Sequence, residues 1–103
     1  MKRILLACSA GMSTSLLVTK MEQYVTSIGD EAKIWAVGQD QAKAELKHAD
    51  VVLIGPQMSF LKGELQKEAN QYGIKVDVID MMAYGMTDGK KAYEQALKLM
   101  GDQ

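Results

Sequence analysis

The sequence holds a single cysteine and a single histidine, and no apolar run in its 103 residues approaches the roughly 18 that a membrane span needs. One thiol closes no internal disulfide, and without a second cysteine there is no Cys-x-x-Cys redox pair. Neither a Gly-Lys-Ser/Thr phosphate loop nor a Gly-x-Gly-x-x-Gly fingerprint occurs. No His, Cys, Asp and Glu cluster has metal-ligand spacing, and no metal or cofactor is expected. Charge of one sign is not in excess either: 12 Lys and Arg face 13 Asp and Glu, for a net charge of -1. A nucleic-acid binder normally shows a basic excess or stripe, so that partner class is disfavoured. Met1-Lys2-Arg3 followed by Ile4-Leu5-Leu6-Ala7-Cys8 imitates a lipoprotein signal, but its short apolar stretch falls below the about 7–15 residues such a signal requires. The expectation is a cytoplasmic protein with a reduced thiol and no direct membrane insertion.

Linkers, internal repeats and low-complexity segments are also absent, and the length suits one domain spanning residues 1–103. What the chain does contain is an alternation of short β-type runs with helical stretches, the pattern of an α/β domain with a parallel sheet. Ile4 to Ala7 and Val51 to Ile54 are continuous apolar runs, as central strands covered on both faces require. Lys33 to Val37 begins with a charge and Ile74 to Val78 alternates apolar with charged residues, so these read as edge strands. Helical spacing joins Leu17, Met21, Tyr24 and Ile28; Leu61, Leu65, Ala69 and Tyr72; Tyr93, Ala96, Leu97 and Met100; and, more weakly, Ala42, Leu46 and Ala49. Right-handed crossovers then give a four-stranded parallel sheet of order 2-1-3-4 flanked by helices, a shortened flavodoxin-like fold. Ligands of such sheets bind outside the carboxyl ends of the central strands, where the order reverses. Those ends are Cys8 and the Gly55-Pro56-Gln57 loop.

Cys8 is followed by Ser9-Ala10-Gly11-Met12-Ser13, leading into a helix expected to begin near Thr14. Small residues and a glycine let the backbone curl so that successive N–H groups aim at one anion, and the helix N-terminus adds about half a positive charge. Both features favour the thiolate, which is the nucleophile, and should lower the titration of Cys8 below the usual value of about 8.5. No Asp or Glu occurs before Glu22, although acids suit a helix's first turn, so the loop is free of competing carboxylates. The alternative is an inert buried thiol before an ordinary turn, since cysteine is among the most buried residue types. The loop is similar to the Cys-x5-Arg loop of low-molecular-weight tyrosine phosphatases, but Thr14 stands where the arginine would be. Without a guanidinium to clamp the phosphate, hydrolysis is poorly supported.

The run Ile4-Leu5-Leu6-Ala7-Cys8-Ser9-Ala10-Gly11-Met12-Ser13-Thr14-Ser15 resembles the phosphorylation loop of IIB components of the bacterial phosphoenolpyruvate-dependent sugar phosphotransferase system, lactose/cellobiose/chitobiose family. Gly55-Pro56-Gln57 and Tyr84-Gly85-Met86 with Asp88-Gly89 are also similar to that family, so the likeness covers essentially the whole chain. The resemblance implies a cytoplasmic carrier, phosphorylated on cysteine by a phosphohistidine of the IIA component, that hands the phosphate to a sugar of the cellobiose, chitobiose or lactose class bound by the membrane IIC component. Carried over, it makes Cys8 the nucleophile and Ser9, Ala10, Gly11, Met12, Ser13 and Thr14 the phosphate cradle. A noncatalytic phosphoprotein- or anion-binding regulatory module of the same fold is the competing function.

The remaining residues have plainer readings. His48 lies at a helix end where cations are favoured, and Asp88 reads as an N-cap. Asp80 reads as a strand-end carboxylate, Trp35 as strand packing and Asp40 as a solvated helix start. Met21 and Met100 fall on apolar stripes and are assigned to the core. Met12, Met58, Met81, Met82 and Met86 belong to loops at the carboxyl edge. Of these, Met12, Met58 and Met86 are expected to form an exposed apolar rim that, with Tyr84, meets partner proteins.

Overall fold

The computed structural model describes residues 2–8 and 11–101, with the side chains of residues 11–14 and 39 outside that description. Strands β1 (Lys2–Ala7), β2 (Ala32–Val37), β3 (Val51–Ile54) and β4 (Lys75–Val78) form one sheet. All pairings are parallel and the order is β2-β1-β3-β4, as expected from sequence. Helices α1 (Gly11–Ser27), α2 (Gln39–Glu45), α3 (Lys62–Ala69), α4 (Met81–Gly85) and α5 (Gly89–Leu99) connect and follow them, with 3-10 turns at Leu46–His48, Pro56–Leu61 and Asn70–Tyr72.

Side-chain alternation along the two central strands splits the core into two clusters. Ile4, Leu6, Val51 and Leu53 face α1 and α5, meeting Leu17, Met21, Val25, Tyr93 and Ala96. Leu5, Ala7, Val52 and Ile54 face α2 and α3, meeting Ala42, Leu46, Met58, Leu65 and Ala69. Continuous apolar runs are therefore needed in β1 and β3, because both faces are covered. Gly89 opens α5 against α1, where a Cβ would lie only 2.4 Å from the Lys20 carbonyl carbon. Glycine is required there by the closeness of the two backbones.

The edge strand β4 is closed by glutamine side chains. Gln66 on α3 donates to Ile74 O at 3.1 Å and accepts from Val76 N at 2.8 Å. Gln95 on α5 donates to Val78 O at 2.7 Å and accepts from Asp80 N at 2.9 Å. Each primary amide presents one donor and one acceptor, as a neighbouring strand would, so the outward edge is blunted against pairing with another chain.

Several local expectations need correction. The first helix starts at Gly11, earlier than Thr14, and the fourth strand at Lys75, one residue after Ile74. Ile28 lies just beyond α1 and Tyr72 in a 3-10 turn, and both are exposed because the helical periodicity stops before it reaches them. The segment after β4, expected as a loop, folds into the five-residue α4. Its N-cap is Asp80, whose carboxylate accepts from Ala83 N at 3.0 Å, so Asp80 is a capping residue rather than a plain strand end. Among the described residues no helix is long and apolar enough to cross a membrane.

Candidate functional site

Cys8 follows β1 directly, and its N–H donates to Val37 O at the end of β2 at 3.0 Å. On the other side Gly55 N–H donates to Ala7 O at 2.9 Å, tying the end of β3 to the same spot. The thiol is thus fixed where the strand order reverses, at the carboxyl edge of the sheet. The 17-residue α1 begins three positions later with no acid in its first turn, so the positive end of its dipole faces this edge unopposed by its own side chains.

Cys8 is only 2% exposed, and two side chains from later segments close over it. Gln57 Nε2 donates to Cys8 Sγ at 3.3 Å and to Tyr84 Oη at 3.0 Å, while Tyr84 Oη lies 3.4 Å from the sulfur. Three groups from three strand-to-helix connections therefore make a closed triangle. A primary amide has two N–H donors, so Gln57 can satisfy both contacts at once and leave the Tyr84 hydroxyl proton directed at the sulfur. Gln57 is held by its surroundings: the Gly55 Cα side is filled by its amide, with Oε1 3.0 Å and Nε2 3.4 Å from where a Cβ would sit. Tyr84 is held by the shortness of α4. After the Asp80 cap, the helix ends in Thr87 N→Tyr84 O at 3.3 Å and Asp88 N→Ala83 O at 2.8 Å, with Thr87 left-handed at φ 48°. That is the paired 5→2 and 6→1 bonding of a Schellman end, with a β-branched residue where glycine is usual.

The structure brings Cys8, Gln57 and Tyr84 together and leaves other expected residues elsewhere. Ser9 and Ala10 lie outside the described residues. Gly11, Met12, Ser13 and Thr14 form the first turn of α1, and their side chains also lie outside the description. Met86 is 69% exposed, as are Met81, Met82 and Phe60 in comparable degree. Met58 is a correction: it is 1% exposed and packs with Leu5, Ala7 and Leu65. It occupies a non-helical kink of the 3-10 segment, which turns its side chain toward the core, so it is no part of an exposed rim. Gln57, absent from the expected site residues, was visible only as a polar side chain just beyond a central strand at the reversal point.

Asp88 caps α5, accepting from Lys91 N at 3.1 Å, and His48 sits in the last turn before β3, both as expected. Trp35 is half-buried, its indole N–H donates to Glu45 at 3.1 Å, and Lys33 lies 5.1 Å over its ring, an arrangement of packing. Two charge pairs stand at the amino edge of the sheet, away from Cys8. Arg3 is paired with Asp50 at 2.9 Å, and that hydrogen bond holds the Asp50 carboxyl below the ordinary range. Asp30 accepts from the buried Tyr93 hydroxyl at 2.6 Å and pairs with Lys2 at 3.2 Å. The Tyr93 bond first, then the Glu31 N–H and Lys2, hold its carboxyl at about 2.

Comparison with known proteins agrees with this fold. The family model "PTS system, Lactose/Cellobiose specific IIB subunit" matches residues 3–95. The chain is 77% identical, over all of both chains, to the oligo-beta-mannoside-specific EIIB component of Bacillus subtilis. It is 43% identical to the cellobiose-specific EIIB component of Lactococcus lactis subsp. lactis over 96% of each chain. The cellobiose-specific IIB component of Borrelia burgdorferi superposes with a TM-score of 0.79 at 35% identity, covering 97% of this chain and 92% of that one. The lactose-specific IIB domain of Streptococcus pneumoniae shares the fold with a TM-score of 0.85 at 15% identity, covering 95% and 96%.

Proposed function

The chain belongs to the lactose/cellobiose-specific IIB family of the sugar phosphotransferase system and works with other components of it, and from that premise we propose that Cys8 is its phosphoryl carrier. The carrying observation is the position of the thiol, at the carboxyl end of β1 and immediately before the N-terminus of α1. A thiolate there lies near the positive end of a helix, whose free first-turn N–H groups also suit the phosphoryl oxygens once transferred. The donor is a phosphohistidine of a IIA component. Sulfur attacks phosphorus as the P–N bond breaks, the electron pair staying on the imidazole nitrogen, which takes up the proton that the thiol gives up. In the second step a sugar hydroxyl attacks phosphorus, the S–P bond breaks and its electron pair returns to sulfur, which takes up the proton that the hydroxyl gives up. Both are in-line displacements in which positioning and electrostatics supply most of the rate.

Transfer rather than hydrolysis is supported by the location of the only arginine. Arg3 lies five residues before Cys8 on β1, roughly 16 Å along an extended strand, and is engaged by Asp50. No guanidinium is therefore in reach to clamp the group as in a phosphatase. The sugar is proposed to be a β-linked oligosaccharide, an oligo-beta-mannoside or cellobiose, because relatives at 77% and 43% identity are named for these. It is bound by a membrane IIC component while this chain stays cytoplasmic. Residues 9–14 supply the cradle, and Met12, Tyr84 and Met86 are partner contacts.

Incubation with phosphorylated IIA tests the reading. Wild type should gain one alkylation-sensitive phosphate on Cys8, and Cys8→Ser should gain none while keeping its thermal transition, since the volume change is small. Normal phosphate yield on Cys8→Ser would refute the assignment, and binding without covalent phosphate would leave a regulatory module instead.

A further inference from the structure

The contacts around Cys8 assign Gln57 and Tyr84 a chemical part that the fold does not need. We propose that the two side chains form a clasp of neutral donors, closed on the Cys8 sulfur at rest and handed over to the phosphoryl oxygens during transfer. The inference rests on Cys8 being the carrier.

The sulfur is 2% exposed, so an incoming phosphorus atom cannot reach it in the closed arrangement. Among the described side chains that meet it are the Gln57 amide, on an exposed residue, and the half-buried Tyr84 phenol. Each belongs to a different connection, after β3 and after β4, so the two can part without disturbing the sheet. Their mutual bond of 3.0 Å is lost on opening and the sulfur contacts of 3.3 and 3.4 Å are released. The freed N–H and O–H groups can then donate to phosphoryl oxygens, which lie two bonds out from the sulfur. Sulfur is a weak acceptor, whereas hydrogen bonds to anionic phosphoryl oxygens are among the strong ones, so the handover favours the transferred state. Being neutral, the clasp stabilises the charge without neutralising it, which leaves the group able to depart to the next acceptor.

The clasp also explains why Gly55 precedes the 3-10 segment. Its φ of -59° suits any residue, so the backbone does not require glycine. The space favours it, because the Gln57 amide folds back to 3.0 to 3.4 Å from a Cβ position and would have to shift by a few tenths of an ångström to admit one. Glycine there allows the amide to reach both sulfur and phenol.

Rates of phosphate acceptance from phosphorylated IIA, measured with thermal melts, test the clasp. Gln57→Ala and Tyr84→Phe should each slow acceptance about tenfold, equivalent to ~1.4 kcal/mol in the barrier. Gln57→Glu keeps the shape but turns a donor into a second anion beside the sulfur, and should slow acceptance about a hundredfold with an unchanged melt. A side chain that only packs would tolerate this isostere. Gly55→Ala should reproduce the Gln57→Ala loss, and adding it to Gln57→Ala should cost nothing more, the non-additivity of two changes acting through one contact. Gln57→Glu accepting phosphate on Cys8 at the wild-type rate, or Gly55→Ala adding its full loss to Gln57→Ala, overturns the clasp alone. Wild type phosphorylated at a residue other than Cys8 overturns the carrier reading and the clasp with it.

Discussion

Replacing Gly89 by alanine tests the packing that holds α4 and α5 in place. An added Cβ would lie 2.4 Å from Lys20 C and 2.5 Å from both Lys20 O and Met21 N. Carbon atoms in good contact sit about 3.5–4.0 Å apart, so the start of α5 must retreat from α1 by about 1 Å. Nothing can yield on the other side, because the obstacle is hydrogen-bonded backbone in mid-helix beside the fully buried Met21. The retreat loosens Ala92, Tyr93 and Ala96 against Leu17 and Met21. Overpacking of this kind costs about 1–3 kcal/mol, and alanine's better helix propensity offsets at most about 1 kcal/mol of it. A net loss of about 2 kcal/mol lowers Tm by about 8–16 °C in a domain this small. Circular dichroism melts at neutral pH measure it, with Gly63→Ala as the comparison. Gly63 lies in α3 with nothing within 4 Å of a Cβ, so there alanine should raise stability by about 0.5–1 kcal/mol. A Gly89→Ala melt within about 2 °C of wild type would refute the close-approach argument.

Three further outcomes are expected. The Asp30 carboxyl, held at about 2 against an ordinary 3.8, contributes stability that is complete above the ordinary value and lost as pH falls toward 2. Asp30→Asn should therefore have a flatter acid limb than wild type in that window, and parallel limbs in urea titrations would exclude the linkage. Gln95→Ala unpairs Val78 O and Asp80 N and should cost about 1–3 kcal/mol while promoting concentration-dependent association through β4, read by melts and light scattering. Met86→Asp should leave the melt unchanged and slow acceptance from IIA at least tenfold, whereas Met58→Asp should unfold the protein by burying a charge, and equal melts would invalidate the contrast.

The sheet order could be read from the sequence because each strand carries its environment in its side chains. Two continuous apolar runs belong in the centre and two charged or alternating ones at the edges, and right-handed crossovers then leave one order. The candidate site's expected location rests on that order, since the reversal point is a property of topology. Side-chain direction in irregular segments was much less legible. Met58 and Met86 are both methionines just beyond a strand, yet one is buried by a kink in a 3-10 segment and the other stands on a short helix's end. No periodicity operates over so few residues. Gln57 was missed for the same reason: its role depends on Gly55 leaving space for its amide and on Tyr84 arriving 27 positions later. Asp80 lost its plain reading once α4 formed, because a five-residue helix is too short for an apolar stripe and announces itself only by its cap.

The distribution of charge ties the fold to the proposed chemistry. A hydrolase gains from a fixed cation at the transferred group, because the cation holds the charge while water attacks. A carrier needs a group that is stabilised long enough to find its acceptor and then leaves. Among the described contacts of Cys8 are an amide and a phenol, and the nearby helix contributes a partial charge. Two of the domain's ion pairs stand at the other end of β1, where Lys2 and Arg3 meet Asp30 and Asp50, and two more join Lys43 to Glu64 and Lys62 to Asp77. Strand β1 thus runs from the first two of these pairs to an edge that Arg3, the one arginine of the sequence, does not reach, and parallel pairing brings every strand-to-helix connection to that same edge. Introducing a cation there by Thr14→Arg, at the position of the phosphatase arginine, should shorten the phosphocysteine lifetime in the absence of sugar and IIC, measured by release of inorganic phosphate. A lifetime equal to that of wild type would mean that hydrolysis is limited by access of water rather than by the missing cation.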